Sequence, residues 1–316
     1  MITVKNKKGM TRKTRNAIFI CLMLAVPILH FIFFWCRIHL QAIFIAFENP
    51  LTGELGFSNF EIFFRNFAND WENDSGGLRI AIENTFITAF IRMFITMPFG
   101  VIAAYMLFKK FYGHMFFRVV FYIPGIVGVV ITGTMTAYIL DATGPLVKLG
   151  TALGIQWPFE VLQSGLIGND LTARSAYFIT GIWGGLVGGG GILILTGSFQ
   201  KIPKDLFDSM KLDGVGMWRE FIYLIVPCSW STIGIQWVMT FAAMWGDSSR
   251  VMMLTGGAHR TNNFAYYLFA TTLRATRGEG TFNYPAAIGL LLTLVVAPLT
   301  LLLRKISDKI VEPVEF

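Results

Sequence analysis

The sequence predicts an all-α, polytopic integral membrane protein with six transmembrane helices. Three observations carry that prediction. Charged residues make up only 14% of the 316-residue chain, against about 25% in soluble domains. The apolar residues gather in long charge-free runs. The basic residues outside those runs are distributed unevenly between alternate segments.

A membrane helix needs about 20 mainly apolar residues. Residues 17–36, 119–140, 175–200, 221–246 and 280–303 carry no formal charge. A further run, 93–108, is shorter and reaches full length by extending back through Arg92 to Asn84. The predicted spans are 17–36, 84–108, 119–140, 176–198, 222–245 and 286–303. The first follows Lys5, Lys7, Lys8, Arg12, Lys13 and Arg15, as a secretory leader would. It is longer than a leader's apolar core and no small-x-small site follows it, so an uncleaved span is expected.

Basic residues retained on the cytoplasmic side set orientation. With the N-terminus inside, the inner segments hold 16 Lys and Arg and the longer outer loops hold 9. Both termini are therefore expected in the cytoplasm, with a basic tail at 1–16 and a further cytoplasmic tail at 306–316, and the formal charge of +7 is assigned to the membrane surface rather than to nucleic acid. No loop is long enough for a separate domain. Loop 37–83 is rich in turn residues (Asn49-Pro50, Gly53, Asn69, Gly76-Gly77). The charge-free stretch 261–273 is too short to span and is expected as an interfacial helix.

Several chemistries are absent. There is no P-loop motif and no His-Glu-x-x-His. His30, His39, His114 and His259 show no metal-ligand spacing, so no metal is expected. Cys21, Cys36 and Cys228 are expected as packing residues. Gly188 to Gly191 has no strand before it, which favours close helix packing or a flexible point over nucleotide binding. Arg92 is the one clear intramembrane ionisable residue; Asp141 and Asp247 fall at outer ends. Proton-driven carriers usually need more, so energy is expected from elsewhere.

The most informative segment lies between the fourth and fifth spans, at 200–221. Pro203 suits a helix's first turn, Asp205 complements the dipole and Gly214 suits a left-handed stop. Leu206, Phe207 and Met210 form an apolar patch, expected to face the cytoplasm. Such a patch can tuck beneath its own membrane domain or dock in another protein's groove. Ile202-Pro203, Leu206, Asp213-Gly214, Phe221 and Pro227 stand in register with the EAA loop, and the segment resembles that of binding-protein-dependent ABC importer permeases. Asp208-Ser209-Met210 replaces the Glu-Ala-Ala core of that loop. Asn84-Thr85, Phe117-Arg118, Tyr122-Ile123-Pro124, Gly144-Pro145-Leu146 and Leu254-Thr255-Gly256-Gly257 with Thr261 are also similar to the family, most of all to its carbohydrate-type subgroup.

The resemblance covers about residues 80–305 as an ABC importer transmembrane domain, with 17–79 as the first helix and its outer loop. It implies a type I ABC importer permease fold in a bacterial-type cell membrane. The implied partners are a second permease, ABC ATPase subunits and an extracytoplasmic solute-binding protein. No cofactor is expected in this chain; ATP and Mg belong to the partner ATPase, where hydrolysis occurs. Pro203, Leu206, Phe207, Asp208, Ser209, Met210, Leu212, Asp213 and Gly214 are then the ATPase-coupling residues. Thr132, Thr136, Trp183, Trp237, Thr240 and Met244 are candidates for the solute path, because hydroxyls bond sugars and aromatic faces stack on them. A sugar or oligosaccharide is the expected solute. The alternative is a self-contained secondary carrier or channel, which would need ion-coupling residues and usually internal repeats.

Overall fold

A computed structural model describes residues 12–73, 77–187 and 190–310. Among them the regular structure is helical, apart from one isolated antiparallel bridge between Glu48 and Leu55. In chain order the helices are α1 (Arg12–Phe47), α2 (Ser58–Asn73), α3 (Gly77–Phe108), α4 (His114–Ile126), α5 (Val129–Leu140), α6 (Pro145–Ala152), α7 (Phe159–Ser164), α8 (Ala173–Val187), α9 (Gly190–Phe199), α10 (Lys204–Leu212), α11 (Met217–Cys228), α12 (Trp230–Met244), α13 (Ser249–Leu254), α14 (Phe264–Thr276) and α15 (Asn283–Ile310). Gly188 and Gly189 lie outside the described residues, as do Lys5, Lys7, Lys8 and residues 311–316 of the C-terminal tail.

Among the described residues, four segments are long and apolar enough to cross a membrane: Arg12–Phe47, Gly77–Phe108, Ala173–Phe199 (α8 and α9 on either side of Gly188 and Gly189) and Asn283–Ile310. The third and fifth predicted spans are not straight helices. The chain bends by 107° between α4 and the run from Val129 onward, and by 76° between α11 and α12. These two pairs make six spans only if each bent pair counts as one. The causes are local. Pro124 and Gly125 weaken the end of α4, and Val127 and Gly128 adopt extended backbone. Pro227 has no amide to donate, and Ser229 breaks the helical path after Cys228.

Proline also shapes the helices that continue. Widened π turns at Arg92–Thr96 and Phe221–Ile225 each end two residues before a proline, Pro98 and Pro227. The extra residue in the turn makes room where proline withdraws a donor and its ring crowds the preceding carbonyls.

The first helix extends beyond the predicted 17–36. No residue of Arg12–His30 is buried; contact with the bundle comes through Arg37–Phe47, which packs on α15. Its final carbonyls lack intrahelical partners. Asn59 donates to Ala46 and Glu48, and Asn283 donates to Ile45 and Glu48, at 2.8–3.1 Å. α2 was not foreseen in loop 37–83. Phe60, Phe63 and Phe67 share a helical face, on which Phe60 meets Ala46 and Ala287 while Phe63 and Phe67 meet Leu78 and Ile288. The helix expected at 261–273 is α14, capped by the Asn263 side chain on the Tyr266 amide.

The largest buried cluster joins α3, α9, α10, α11 and α12 at one end of the bundle. It contains Val101, Tyr105, Leu107, Ile192, Leu195, Phe199, Phe207, Phe221, Ile225 and Ile233.

Candidate functional site

Two features meet in this fold: a helix projecting from one end and a cavity between the helices.

α10 is punctuated as its sequence suggests. Pro203 is the residue before its first turn rather than within it, and Asp205 lies in that turn. At the other end, Val215 donates to the Met210 carbonyl and Gly214 to that of Lys211. Gly214 has φ +67°. These two bonds form a Schellman motif, in which only glycine is free of the left-handed penalty. The faces differ from expectation. Phe207 is 9% exposed and points into the bundle, its ring 5.7 Å from Phe108; Met210 packs beside it. The outward face carries Leu206, Asp208, Ser209, Leu212 and Asp213, and Leu212 is 89% exposed. The reason is geometric: 207 and 210 are one helical turn apart, and the cluster around Phe108 offers them an apolar surface within reach. The helix is therefore anchored inward by Phe207 and Met210, with a separate outward face.

The cavity, of about 480 Å³, is lined from α3, α5, α8, α9, α12 and α13. Thr132, Thr136, Trp183 and Thr240 lie on it, as the sequence suggests. Trp237 and Met244 do not. Trp237 packs with Phe94 and the cluster around Phe241, and Met244 is buried in that cluster. Three- and four-residue spacing places Trp237, Thr240 and Met244 on one broad face of α12, but that face meets α3 and α15 except at Thr240.

The cavity residues that sequence reasoning did not propose for the solute path are charged. Arg92, Asp247 and Arg250 line the same cavity, with Gln236, Thr180 and Ser249. Arg92 Nη2 donates to Asp247 Oδ2 at 3.2 Å, across 155 positions of sequence. Asp247 Oδ1 also accepts from the Ser249 amide and hydroxyl. Burial raises the Asp247 pKa, but the Ser249 bonds and the Arg92 charge more than offset it and hold the carboxyl below the usual range. Arg250 stacks over Tyr177, its guanidinium carbon 4.2 Å from the ring centre, and donates to the Tyr177 carbonyl. Gly181 makes room for it; a Cβ there would strike the guanidinium. Burial lowers the Arg250 pKa, yet arginine remains a cation at neutral pH. Arg92 and Asp247 were named from the sequence, but neither as part of a solute path; Arg250 was not named, and its signal was the Asp-Ser-Ser-Arg directly after an apolar span.

The loop that holds Asp247 is itself braced. Asn263 donates to the Asp247 carbonyl. Fully buried Asn84 donates to the carbonyls of Arg260 and Asn262 and accepts from Arg174. Gly256 and Gly257 have φ of +60° and +79°, and a Cβ on Gly257 would meet the Tyr266 ring. The Asn-Thr and Leu-Thr-Gly-Gly motifs thus brace the same segment, 260–266, from two different elements. Among the described residues no cluster of His, Cys, Asp and Glu could hold a metal ion.

No protein-family model matches the chain. Curated relatives do. The chain is 26% identical over 191 residues to the probable ABC transporter permease protein YurN of Bacillus subtilis, covering 60% of this chain and 63% of YurN. The match thus spans less than two thirds of that relative. It is 25% identical over 308 residues to the diacetylchitobiose uptake system permease protein NgcF of Streptomyces coelicolor, covering 92% of this chain and 83% of NgcF. A chain of the bacterial alginate ABC transporter, crystallised with an alginate pentasaccharide-bound periplasmic protein, superposes with a TM-score of 0.77. It is 17% identical, with 96% of this chain and 98% of that chain covered. In sequence and in fold, this multi-pass helical protein resembles the permeases of ABC transporters, with relatives of the carbohydrate-uptake type.

Proposed function

We propose that this chain is a permease subunit of an ATP-driven importer, forming half of the path for a sugar or oligosaccharide. On this reading the six spans include the two bent pairs and both termini are cytoplasmic. A second permease completes the path, an extracytoplasmic binding protein delivers the solute, and ATP is hydrolysed in a separate subunit. The observation that carries the reading is the near full-length similarity to an uptake-system permease. The names of the relatives support the solute class.

The geometry suits the task. α10 offers Leu206 and Leu212 outward for an ATPase groove, the helix-in-groove mode of recognition. Phe207 ties that helix to Phe108 and, through Phe108, to Phe199. The same cluster includes Ile192 and Leu195, which line the cavity. Movement imposed on α10 therefore acts on a close-packed body that reaches the solute path. The chain supplies position and two alternative states, and the partner's differential affinity for those states drives the change.

Purification of the tagged chain from its native membrane tests this. Co-purification of a P-loop ATPase and a second permease is expected. Solute transport by the lone chain in liposomes, without ATP, would favour the carrier reading and overturn this one.

A further inference from the structure

The cavity's hydrogen-bonding capacity is lopsided. The hydroxyls of Thr132, Thr136, Thr180 and Thr240 each lie within bonding distance of a carbonyl three or four residues back on their own helix. A hydroxyl whose proton is engaged still accepts. These threonines therefore present oxygen acceptors to the space, matched to the O–H groups of a sugar. Donors come from elsewhere. Gln236 is partly committed to the Gly191 carbonyl. The abundant donors are the two guanidiniums, with five N–H groups each. Among the described residues, Arg92 bonds only Asp247, Arg250 bonds only the Tyr177 carbonyl, and the Nε of each is covered without a partner.

Charge is lopsided too. The lining holds two arginines and one carboxylate. A partly buried, under-paired cation is costly, and a neutral sugar needs none. Arg92 is placed by a π turn of α3, Arg250 by α13 against Gly181, and Asp247 by the braced loop, so the excess is built from three separate elements.

We propose that this cavity recognises an anionic oxygen group on the transported solute, through Arg92 and Arg250. Asp247 holds Arg92 in place when no solute is bound, and the solute's carboxylate or phosphate competes for it. Trp183, two-thirds exposed on the cavity, offers its face to the sugar ring. The inference rests on the importer reading and narrows its solute from carbohydrate in general to an acidic one, a uronate or a sugar phosphate.

The test is equilibrium binding to the full chain in lipid nanodiscs, purified with whatever subunits accompany it. Two matched pairs of probes serve: trigalacturonate with galactotriose, and glucose 6-phosphate with glucose. One acid is expected to bind at least about tenfold tighter than its neutral partner; the pair that shows it identifies the anion. Arg250→Gln should abolish the preference. Arg250→Lys, which keeps the charge, should retain part of it and guards against simple misfolding. Equal binding within both pairs, no saturable binding of either acid, or a full preference in Arg250→Gln overturns the proposal. None of these results touches ATPase co-purification, so the importer reading stands or falls separately.

Discussion

Lys109 and Glu220, 111 positions apart, form an ion pair of 2.6 Å at the foot of the bundle, with the Glu220 side chain only 6% exposed. The Tyr105 hydroxyl donates to the same carboxylate at 3.1 Å. Lys109 follows the last residue of α3, and Glu220 lies in α11 directly after the α10 turn. The pair therefore clamps the segment leaving α10 to the helix that carries Arg92. Replacement of Glu220 by Gln leaves Lys109 without its counter-ion beside a buried site. A loss of about 1–3 kcal/mol is expected, discounted because Lys109 is partly solvated. Denaturant unfolding of the purified chain measures it; an unchanged midpoint would show that the pair contributes nothing.

The two faces of α10 should separate in mutational tests. Phe207→Ala empties a buried site and should cost about 3–5 kcal/mol. Leu212→Ala removes an exposed side chain and should change stability by less than about 0.5 kcal/mol while weakening attachment of the ATPase. Thermal unfolding and pull-down on the same two variants decide between this division and a helix with no outward role.

The Gly214 cap gives a sharper handle. A β-branched side chain at φ +67° costs about 1–2 kcal/mol and distorts the turn after α10. Gly214→Val should insert into the membrane normally, yet transport poorly in the assembled complex. Asp213→Arg should act similarly. Normal uptake by both would remove the coupling role from this turn.

Asp247 supplies a pH test. Its folded pKa is depressed, so its stabilisation is complete above the ordinary carboxylate value and is lost as pH falls through the folded one. The stability difference between wild type and Asp247→Asn should stay constant from neutral pH to about 5. A difference that shrinks already between pH 7 and 5 would mean that the carboxylate is not held by Arg92 and Ser249.

Much of the helical layout was legible because charge-free runs report the thickness of a membrane directly. The bends were not, because a proline near the middle of an apolar run leaves its length and composition unchanged; Pro124 and Pro227 were noted for their resemblance rather than for their geometry. α2 was readable in principle, since Phe60, Phe63, Phe64 and Phe67 keep helical spacing, but neighbouring turn residues masked it. In the cavity, hydroxyl and aromatic residues inside the spans announced themselves. Arg92 with Asp247 did not, since a contact across 155 positions has no periodicity to betray it. The inward turn of Phe207 shows the same limit: helical spacing fixes which residues share a face, not which neighbour that face meets.

The central claim is that the outward face of α10 grips a separate motor. A photoreactive amino acid placed at Leu212 in the chain within its native membrane tests it most directly. Irradiation should join the chain to a P-loop ATPase subunit, identifiable by mass spectrometry. Adducts confined to lipid or to the chain itself would contradict the account.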